Sequence, residues 1–403
     1  MTSGFTARDG QARISAYAAF AVQGLCFASL VTRVPQIQKA HHLSDGAIAI
    51  VLMLVPVIAG VGSALAGLFF ARFGSALVLR VTQPAVCVAI ALIGATGSAN
   101  VPLYVSTALF GLFVGAVDAA MNAQAVAVER RHGQSLLTGF YAIWSIAGIL
   151  GGLWASLANS VNLPLFPGFL IPGVLGIAVS LFTGPKLFGK AEEGNVPSAE
   201  ELKAAAKRVP WRPILIVGVA MCCFYIADAA VSLYGTKYMT DVLDSSDTIA
   251  PLAYVAYQIA MVISRGVADF GVRRYGGVRV VLAGGIVGFA GMVAVVASPD
   301  WWLALPAFTI MGLGLCVVAP ISFTAAGKVD PTGLGIAVSR VNIFNYIGFV
   351  VGAILIGGIT PLRAAFAVPA VLTLVIIALA RGFEPTPVAG PSIPSPVVER
   401  PTV

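Results

Sequence analysis

Two aspartates sit where the surrounding residues leave a carboxylate without water. Asp118 lies in GAVDAAMNAQ, 115–124, with VPLYVSTALFGLFV before it and AVAV after it. Asp228 lies in ILIVGVAMCCFYIADAAVSLYG, 214–235. An unpaired carboxylate at the centre of a bilayer costs about 2.5–3.5 kcal/mol on insertion scales, so each needs a use or a partner. On a helix, Gly111, Gly115, Asp118, Asn122 and Glu129 fall on one stripe. The glycines let another helix come close, Asp118 and Asn122 face one interior space, and Glu129 reaches the rim. Two readings stand for Asp118. A carboxyl in a cavity of low dielectric loads and releases a proton as the cavity alternates between faces. Alternatively, a neutral Asp118 makes a structural hydrogen bond to a neighbouring helix. Asp228 shares a face with Tyr225 and Ser232. It is either a second proton or solute group or the partner of a buried arginine.

The frame for these acids follows from composition. The chain has 403 residues, 58% hydrophobic and only 10% charged, where soluble domains carry about 25% charged residues. A soluble fold of this length cannot hide so much apolar surface, so the chain reads as an all-α, polytopic membrane protein. About 20 apolar residues of helix cross a bilayer. Cutting at charges, prolines and glycines gives about 12 such runs, near 13–32, 47–70, 78–97, 101–126, 136–158, 163–184, 212–235, 249–270, 278–297, 301–325, 334–358 and 362–381. With both termini cytoplasmic, 20 of the 24 lysines and arginines fall inside, and only Arg33, Lys39, Lys237 and Arg363 outside. That bias orients the chain as a multi-pass membrane protein with cytoplasmic termini. The basic residues lie in gaps between apolar runs and form no basic domain, which argues against a nucleic-acid partner. The stretch 185–210 is polar and central, a linker between six-helix bundles at 1–184 and 211–381, with SAEELKAAAKR as a short helix capped by Ser198. The proline-rich tail, 382–403, reads as disordered.

Other polar side chains punctuate the spans. Gln23, Cys26, Leu30 and Arg33 form a stripe on the first, from which Gln23 reaches the interior. Arg33 is expected to snorkel to the interface; the sharper alternative is a charge that draws a polar solute inward. Tyr141, Trp144 and Ser145 cluster on the fifth span, Tyr254, Tyr257 and Gln258 on the eighth, and Asn342, Asn345 and Tyr346 on the eleventh. Amides and phenols among aromatic rings suit a sugar-like or other polar organic solute; the bland alternative is that they glue helices together. Arg340 either pairs with a buried acid or snorkels. The five cysteines all lie in apolar runs without a CxxC spacing, and the three histidines lack metal-ligand spacing. AAGKVD, 325–330, lacks the early glycine and the Ser/Thr of a phosphate-binding loop. No metal, cofactor or catalytic set is therefore expected, and an ion gradient is the expected energy source.

The two halves repeat each other at an offset of about 200: ARFG, 71–74, matches RRYG, 273–276; SD, 44–45, matches SD, 246–247; FGLF, 110–113, matches MGLG, 311–314; Gly148-x-x-x-Gly152 matches Gly348-x-x-x-Gly352. Duplicated six-helix units with a site between them at the midplane are a transporter plan. The second half has nothing like Asp118, since Ala319 and Phe323 stand where Asp118 and Asn122 would repeat.

On these residues the chain resembles the major facilitator superfamily. The family marker after the second span, GxLaDRxGRRxxL, appears as GLFFARFGSALVL, 67–79, which keeps Gly67, Arg72 and Gly74 but has Ala71 for the aspartate and Ser75-Ala76 for the basic pair. The second copy keeps Asp269, Arg273, Arg274 and Gly276. The resemblance implies gating of the cytoplasmic side by Arg72, Asp269, Arg273 and Arg274, to which we add Arg340. TRVPQIQKAHHLSD and DAAMNAQAVAVERR resemble a bacterial branch near the fucose permeases, whose members cotransport protons. The expected activity is secondary transport of a small polar organic solute by alternating access, by a monomer, with Asp118 coupling protons and Asp228 as a second candidate. The alternatives are a proton-driven exporter of a drug or metabolite and, from another class, a non-transporting receptor or scaffold.

Overall fold

The computed structural model describes residues 6–132, 136–193, 199–330 and 336–383. Among these the chain forms only helices. The first half holds α1 (Ala7–Val31), α2 (Val34–Ala40), α3 (Asp45–Phe73), α4 (Ser75–Ala95), α5 (Asn100–His132), α6 (Leu137–Ser160) and α7 (Leu165–Thr183). A short helix, α8 (Ala199–Ala206), lies in the connection. The second half holds α9 (Trp211–Asp241), α10 (Leu252–Tyr275), α11 (Gly277–Ala297), α12 (Trp301–Leu315), α13 (Val318–Lys328), α14 (Ile336–Gly358) and α15 (Leu362–Leu379).

Eleven passes are long and apolar enough to cross a membrane, with α12 and α13 counting as one. The twelfth is α10, whose apolar part is Leu252–Ser264 before its charged end. Twelve passes agree with the expectation. The tenth breaks between α12 and α13 because Pro320 has no N–H to give the Cys316 carbonyl.

Local chemistry sets the ends. Thr6 and Asp9 form a capping box at α1, with Thr6 N donating to Asp9 Oδ2 at 3.0 Å and Asp9 N to Thr6 Oγ1 at 3.2 Å. Ser44 Oγ accepts Ala47 N at the start of α3. The last turn of α5 carries Arg130, Arg131 and His132, where cations suit the negative end of the helix dipole. The repeat seen in the sequence recurs in the backbone. Gly74 joins α3 to α4 at φ 78°, ψ 161°, and Gly276 joins α10 to α11 at φ 80°, ψ 158°. Only glycine adopts that conformation without strain.

Helices α1–α7 pack into one lobe and α9–α15 into the other. The lobes meet where α6 faces α10 and α3 faces α14, with α9 against α1 and α2. Chain direction places residues 7, 132, 211 and 328 at one end of the bundle, the linker face. The turns near 33–45 and 242–251 lie at the opposite end, the far face.

Part of the connecting segment is tied to the first lobe. Leu187 and Phe188 are buried. The Gln124 amide, fully buried on α5, accepts Phe188 N at 3.0 Å through Oε1. Its Nε2 donates to Phe188 O at 2.9 Å and to Ser75 Oγ at 2.8 Å. Glu193 Oε1 accepts Ser75 N and Ser75 Oγ, both at 2.9 Å, at the start of α4. The Arg8 guanidinium donates to Leu187 O at 2.6 Å and Glu192 Oε2 at 2.7 Å, and also to Lys186 O. At the other lobe Arg340 donates to Ala206 O at 2.7 Å and Val209 O at 2.8 Å and lies 4.1 Å from the Trp211 ring. The expected cap of α8, Ser198, and the tail after Phe383 lie outside the described residues.

The hydrogen bond from Arg8 holds the Glu192 carboxyl below the ordinary glutamate range. A depressed carboxyl stabilises the docked segment above its ordinary pKa of 4.5, and that contribution is lost as pH falls through the lowered value. Both side chains are about a third exposed, so water screens the pair and the effect is small. Amide protection factors at Leu187–Glu193 should therefore fall slightly as pH drops below the ordinary glutamate range. In Arg8→Ala protection should be lower at neutral pH, and the acid step should disappear.

Candidate functional site

Halfway along α5, Gly111 and Gly115 lie so close to α3 that a Cβ on either would strike the backbone of Val55 or Ala59. This contact fixes the face of α5 that carries Asp118. One turn or so beyond the glycines, Asp118 is half-buried at the junction of the lobes. Tyr346 Oη, from α14 in the other lobe, donates to Asp118 Oδ2 at 2.6 Å. Asn122 Nδ2 donates to Asp118 O at 2.8 Å and to Oδ1 at 3.3 Å. Tyr141 Oη, from α6, donates to Asn122 Oδ1 at 2.9 Å. Tyr346, Asp118, Asn122 and Tyr141 thus form one chain through three helices and both lobes. Tyr141 at its end is 36% exposed, so the chain opens onto accessible space.

The chemistry of the cluster follows from its donor count. An ionised carboxylate only accepts, and here each oxygen has one donor. A protonated carboxyl gains one O–H donor and keeps acceptor capacity, but as a neutral group it accepts more weakly, so a proton at Asp118 weakens the bond from Tyr346 or reverses its direction. Protonation at Asp118 is therefore linked to the bond between the lobes.

The second acid is held differently. Tyr257 Oη donates to Asp228 Oδ1 at 2.7 Å, between α10 and α9 of one lobe. Tyr254, Tyr257 and Gln258 are buried. Gln258 Nε2 donates to Tyr254 Oη at 2.7 Å, and Ser145 Oγ of the other lobe donates to Gln258 Oε1 at 3.2 Å. They stand at the α6–α10 contact between the lobes. Gln23 Nε2 donates to Val114 O at 3.3 Å, and its Oε1 is buried with no hydrogen-bond partner. Trp144 packs on Phe27 at 6.0 Å between ring centres, and Tyr225 meets Phe224 edge-on at 4.8 Å. Asn345 Nδ2 donates to Asn342 Oδ1 at 3.4 Å.

Two polar residues depart from expectation. Arg33 does not snorkel: it is 3% exposed, and its guanidinium donates to Leu163 O at 2.6 Å and Pro164 O at 3.4 Å. Two loop carbonyls aimed at its fork give it a better partner than the interface. Arg340 neither snorkels nor meets a buried acid, because the carbonyls after α8 take its donors. Glu129 does reach the rim in the last turn of α5, but as a cap rather than a free carboxylate: its Oε2 accepts Leu136 N at 2.8 Å and Leu137 N at 3.1 Å at the start of α6. Among the remaining gating candidates, Arg72, Arg273 and Arg274 are exposed. Arg72 lies over the Phe73 ring at 5.2 Å and Arg274 over that of Tyr275 at 5.7 Å. The side chain of Asp269 lies outside the described residues.

Sequence reasoning missed Gln124 and Glu193, whose partners lie far along the chain. It also missed the charged pairs at the far face. There Lys39 Nζ meets Asp247 Oδ2 at 2.9 Å, and Lys237 Nζ meets Asp45 Oδ1 at 2.9 Å. The SD repeat was the available signal.

Known proteins agree with this architecture. The sequence model of the Major Facilitator Superfamily matches residues 16–331 and 217–403. An uncharacterized MFS-type transporter of Yersinia pestis is 27% identical over 379 residues, covering 92% of this chain and 95% of that one. Among solved structures, the nucleoside transporter NupG superposes with a TM-score of 0.71 at 15% identity, covering 94% of this chain and 100% of that chain. The E. coli fucose:proton symporter FucP superposes with a TM-score of 0.64 at 14% identity, over 93% and 98%. The chain belongs to the Major Facilitator Superfamily and is a multi-pass membrane transporter rather than an enzyme.

Proposed function

We propose that this transporter moves a small polar organic solute by alternating access and that protons binding at Asp118 drive it. The observation that carries the proposal is the 2.6 Å bond from Tyr346 to Asp118, a titratable group placed on the contact between the lobes. Lobes at 1–184 and 211–381 would rock about that contact, with the linker face cytoplasmic by the distribution of lysine and arginine. In the ionised state Asp118 accepts from Tyr346 and helps hold the lobes in this arrangement. A proton arriving from one face turns this charge-assisted bond into a weaker neutral one and loosens α5 from α14. Its release at the other face restores the bond. Asp228 is the weaker candidate, since its phenol partner belongs to its own lobe and reports nothing of the lobes' motion.

The amide of Asn122, the phenol of Tyr141 and the pair Asn342–Asn345 offer hydrogen bonds beside aromatic faces, which suits hydroxylated solutes. One neighbour in fold is a fucose:proton symporter, which is consistent with this chemistry. A thermal-shift screen of purified protein against sugars, organic acids and antibiotics, followed by counterflow of each hit in proteoliposomes, tests the reading. Counterflow of a sugar or organic acid supports it, whereas counterflow confined to amphipathic antibiotics replaces it with an exporter. Tyr346→Phe keeps the carboxyl but removes the bond on which its protonation acts, so accumulation of that solute should fall while exchange continues. Its loss of a hydrogen bond to a charged group should lower thermal stability by about 1.5–3 kcal/mol.

A further inference from the structure

The far face carries four charged residues to which neither the family marker nor the central cluster gives a role. Each lobe contributes one lysine and one aspartate. Asp45 and Asp247 are the acids of the two SD dipeptides, 202 positions apart, and Lys39 and Lys237 are 198 apart. Each lysine reaches across to the aspartate of the other lobe. Lys39 Nζ lies 2.9 Å from Asp247 Oδ2, and Lys237 Nζ lies 2.9 Å from Asp45 Oδ1. The aspartates hold the register of the repeat and the lysines stand about one helical turn off it, so the two pairs match in chemistry and in crossing between the lobes rather than position for position.

We propose that Lys39, Asp45, Lys237 and Asp247 form a reciprocal latch that holds the far face shut. Neighbouring bonds anchor it. Lys237 Nζ also donates to Gln38 Oε1 at 2.7 Å and to Asp241. Gln38 Nε2 in turn donates to Asp45 Oδ1 at 2.9 Å. The 242–251 turn that carries Asp247 is gripped from α6 as well. Asn159 Nδ2 donates to Asp247 O at 2.7 Å, and Ser156 Oγ to Thr248 O at 2.6 Å. Opening the far face must part α2 and the start of α3 from the end of α9 and this turn. Both arms therefore break in the same movement.

The arms are unequal. The Lys237 side chain is 6% exposed, whereas those of Lys39 and Asp247 are 66% and 37% exposed. An exposed pair is screened by water and holds weakly. On opening, Lys237 keeps Asp241 of its own helix but loses Asp45, itself 67% exposed, and Gln38, so the Lys237 arm is the stronger because its ammonium is the less exposed. Lys39 and Asp247, in water on both sides of the transition, pair early and set register. The latch is thus a set of gating residues for the transport cycle, distinct from the arginines that the family marker points to on the linker face.

The test needs no solute and no proton gradient, so its failure is separable from failure of the proton-coupling reading. Val255, buried on α10 against Gly152 of the other lobe, serves as reporter position once replaced by cysteine. The rate at which a water-soluble maleimide modifies Val255→Cys is measured in purified full-length protein. The chain without that substitution gives the background of its five native cysteines. Lys237→Met should raise the rate by at least about tenfold. Lys39→Asp, on the exposed pair and harmless to folding, should raise it by about two- to fivefold. The exchange Lys39→Asp with Asp247→Lys should bring it back to within about twofold of the parent. A rate unmoved by both single substitutions, or a double exchange as reactive as Lys39→Asp alone, overturns the latch.

Discussion

Asp118→Asn is expected to abolish accumulation of solute against its gradient while leaving exchange of the same solute intact. Asparagine has the shape of aspartate and keeps an oxygen for Tyr346 Oη, so the 2.6 Å contact between α5 and α14 has a substitute. What it lacks is a site for a proton. One proton moving down one pH unit releases about 1.36 kcal/mol, enough for tenfold accumulation of a neutral solute at one-to-one coupling. The parent should approach that ratio in proteoliposomes with a unit pH step. The variant should stop at equal concentrations, a loss of about tenfold. Exchange needs no net proton movement and should continue at a rate within a few-fold of the parent. Asp228→Asn serves as the control, and its accumulation should resemble that of the parent. A pH-driven ratio that survives in Asp118→Asn but fails in Asp228→Asn would move the coupling to the second acid.

Gln124→Leu should be the most destabilising single substitution on the linker face. Its amide is fully buried and makes bonds in both directions to the Phe188 backbone, besides the Ser75 hydroxyl. Leucine fills the volume but leaves an N–H and a C=O of Phe188 without partners, at about 1–3 kcal/mol for each orphaned group. The segment around Phe188 should then leave its site below α5, and Glu193 with it, so that the start of α4 loses the carboxylate that accepts Ser75 N. A lowered midpoint of thermal unfolding and faster proteolysis after Lys186 should appear together. Glu193→Gln keeps an acceptor oxygen and should show a smaller loss of the same kind. Unchanged unfolding in Gln124→Leu would mean that the docked segment does not contribute to stability.

These two sites differ in how far the sequence announces them. Asp118 is conspicuous because a charge inside an apolar run is costly, and helical periodicity alone places Asn122 beside it and the glycines one turn below. The glycine turns at Gly74 and Gly276 are visible in the same way, since a repeat that keeps glycine in one register marks a backbone position. Periodicity within a helix does not say which helix faces it, however. Tyr346 was one of several polar residues on the eleventh span, and only the packing of α14 against α3 brings it to Asp118. The same limit applies to Tyr254 and Gln258, whose residue types suggest solute contacts and whose place in the α6–α10 contact only the packing reveals. Arg33 and Arg340 were read by their distance from the span ends, whereas their true partners are backbone carbonyls that composition cannot reveal. Gln124 looked like one more polar residue near the end of a span. The Lys39–Asp247 and Lys237–Asp45 pairs were half visible, as a repeated SD whose cross-lobe partners needed three dimensions.

Underlying the functional account is the statement that Asp118 changes protonation as conditions change at the lobe junction. Infrared difference spectroscopy of the protein reconstituted in lipid, between neutral and acidic buffer, observes that event without knowledge of the solute. The account predicts a protonated-carboxyl band that shifts in deuterated water and is missing from the Asp118→Asn spectrum while persisting in Asp228→Asn. A carboxyl band of undiminished intensity in Asp118→Asn would contradict it.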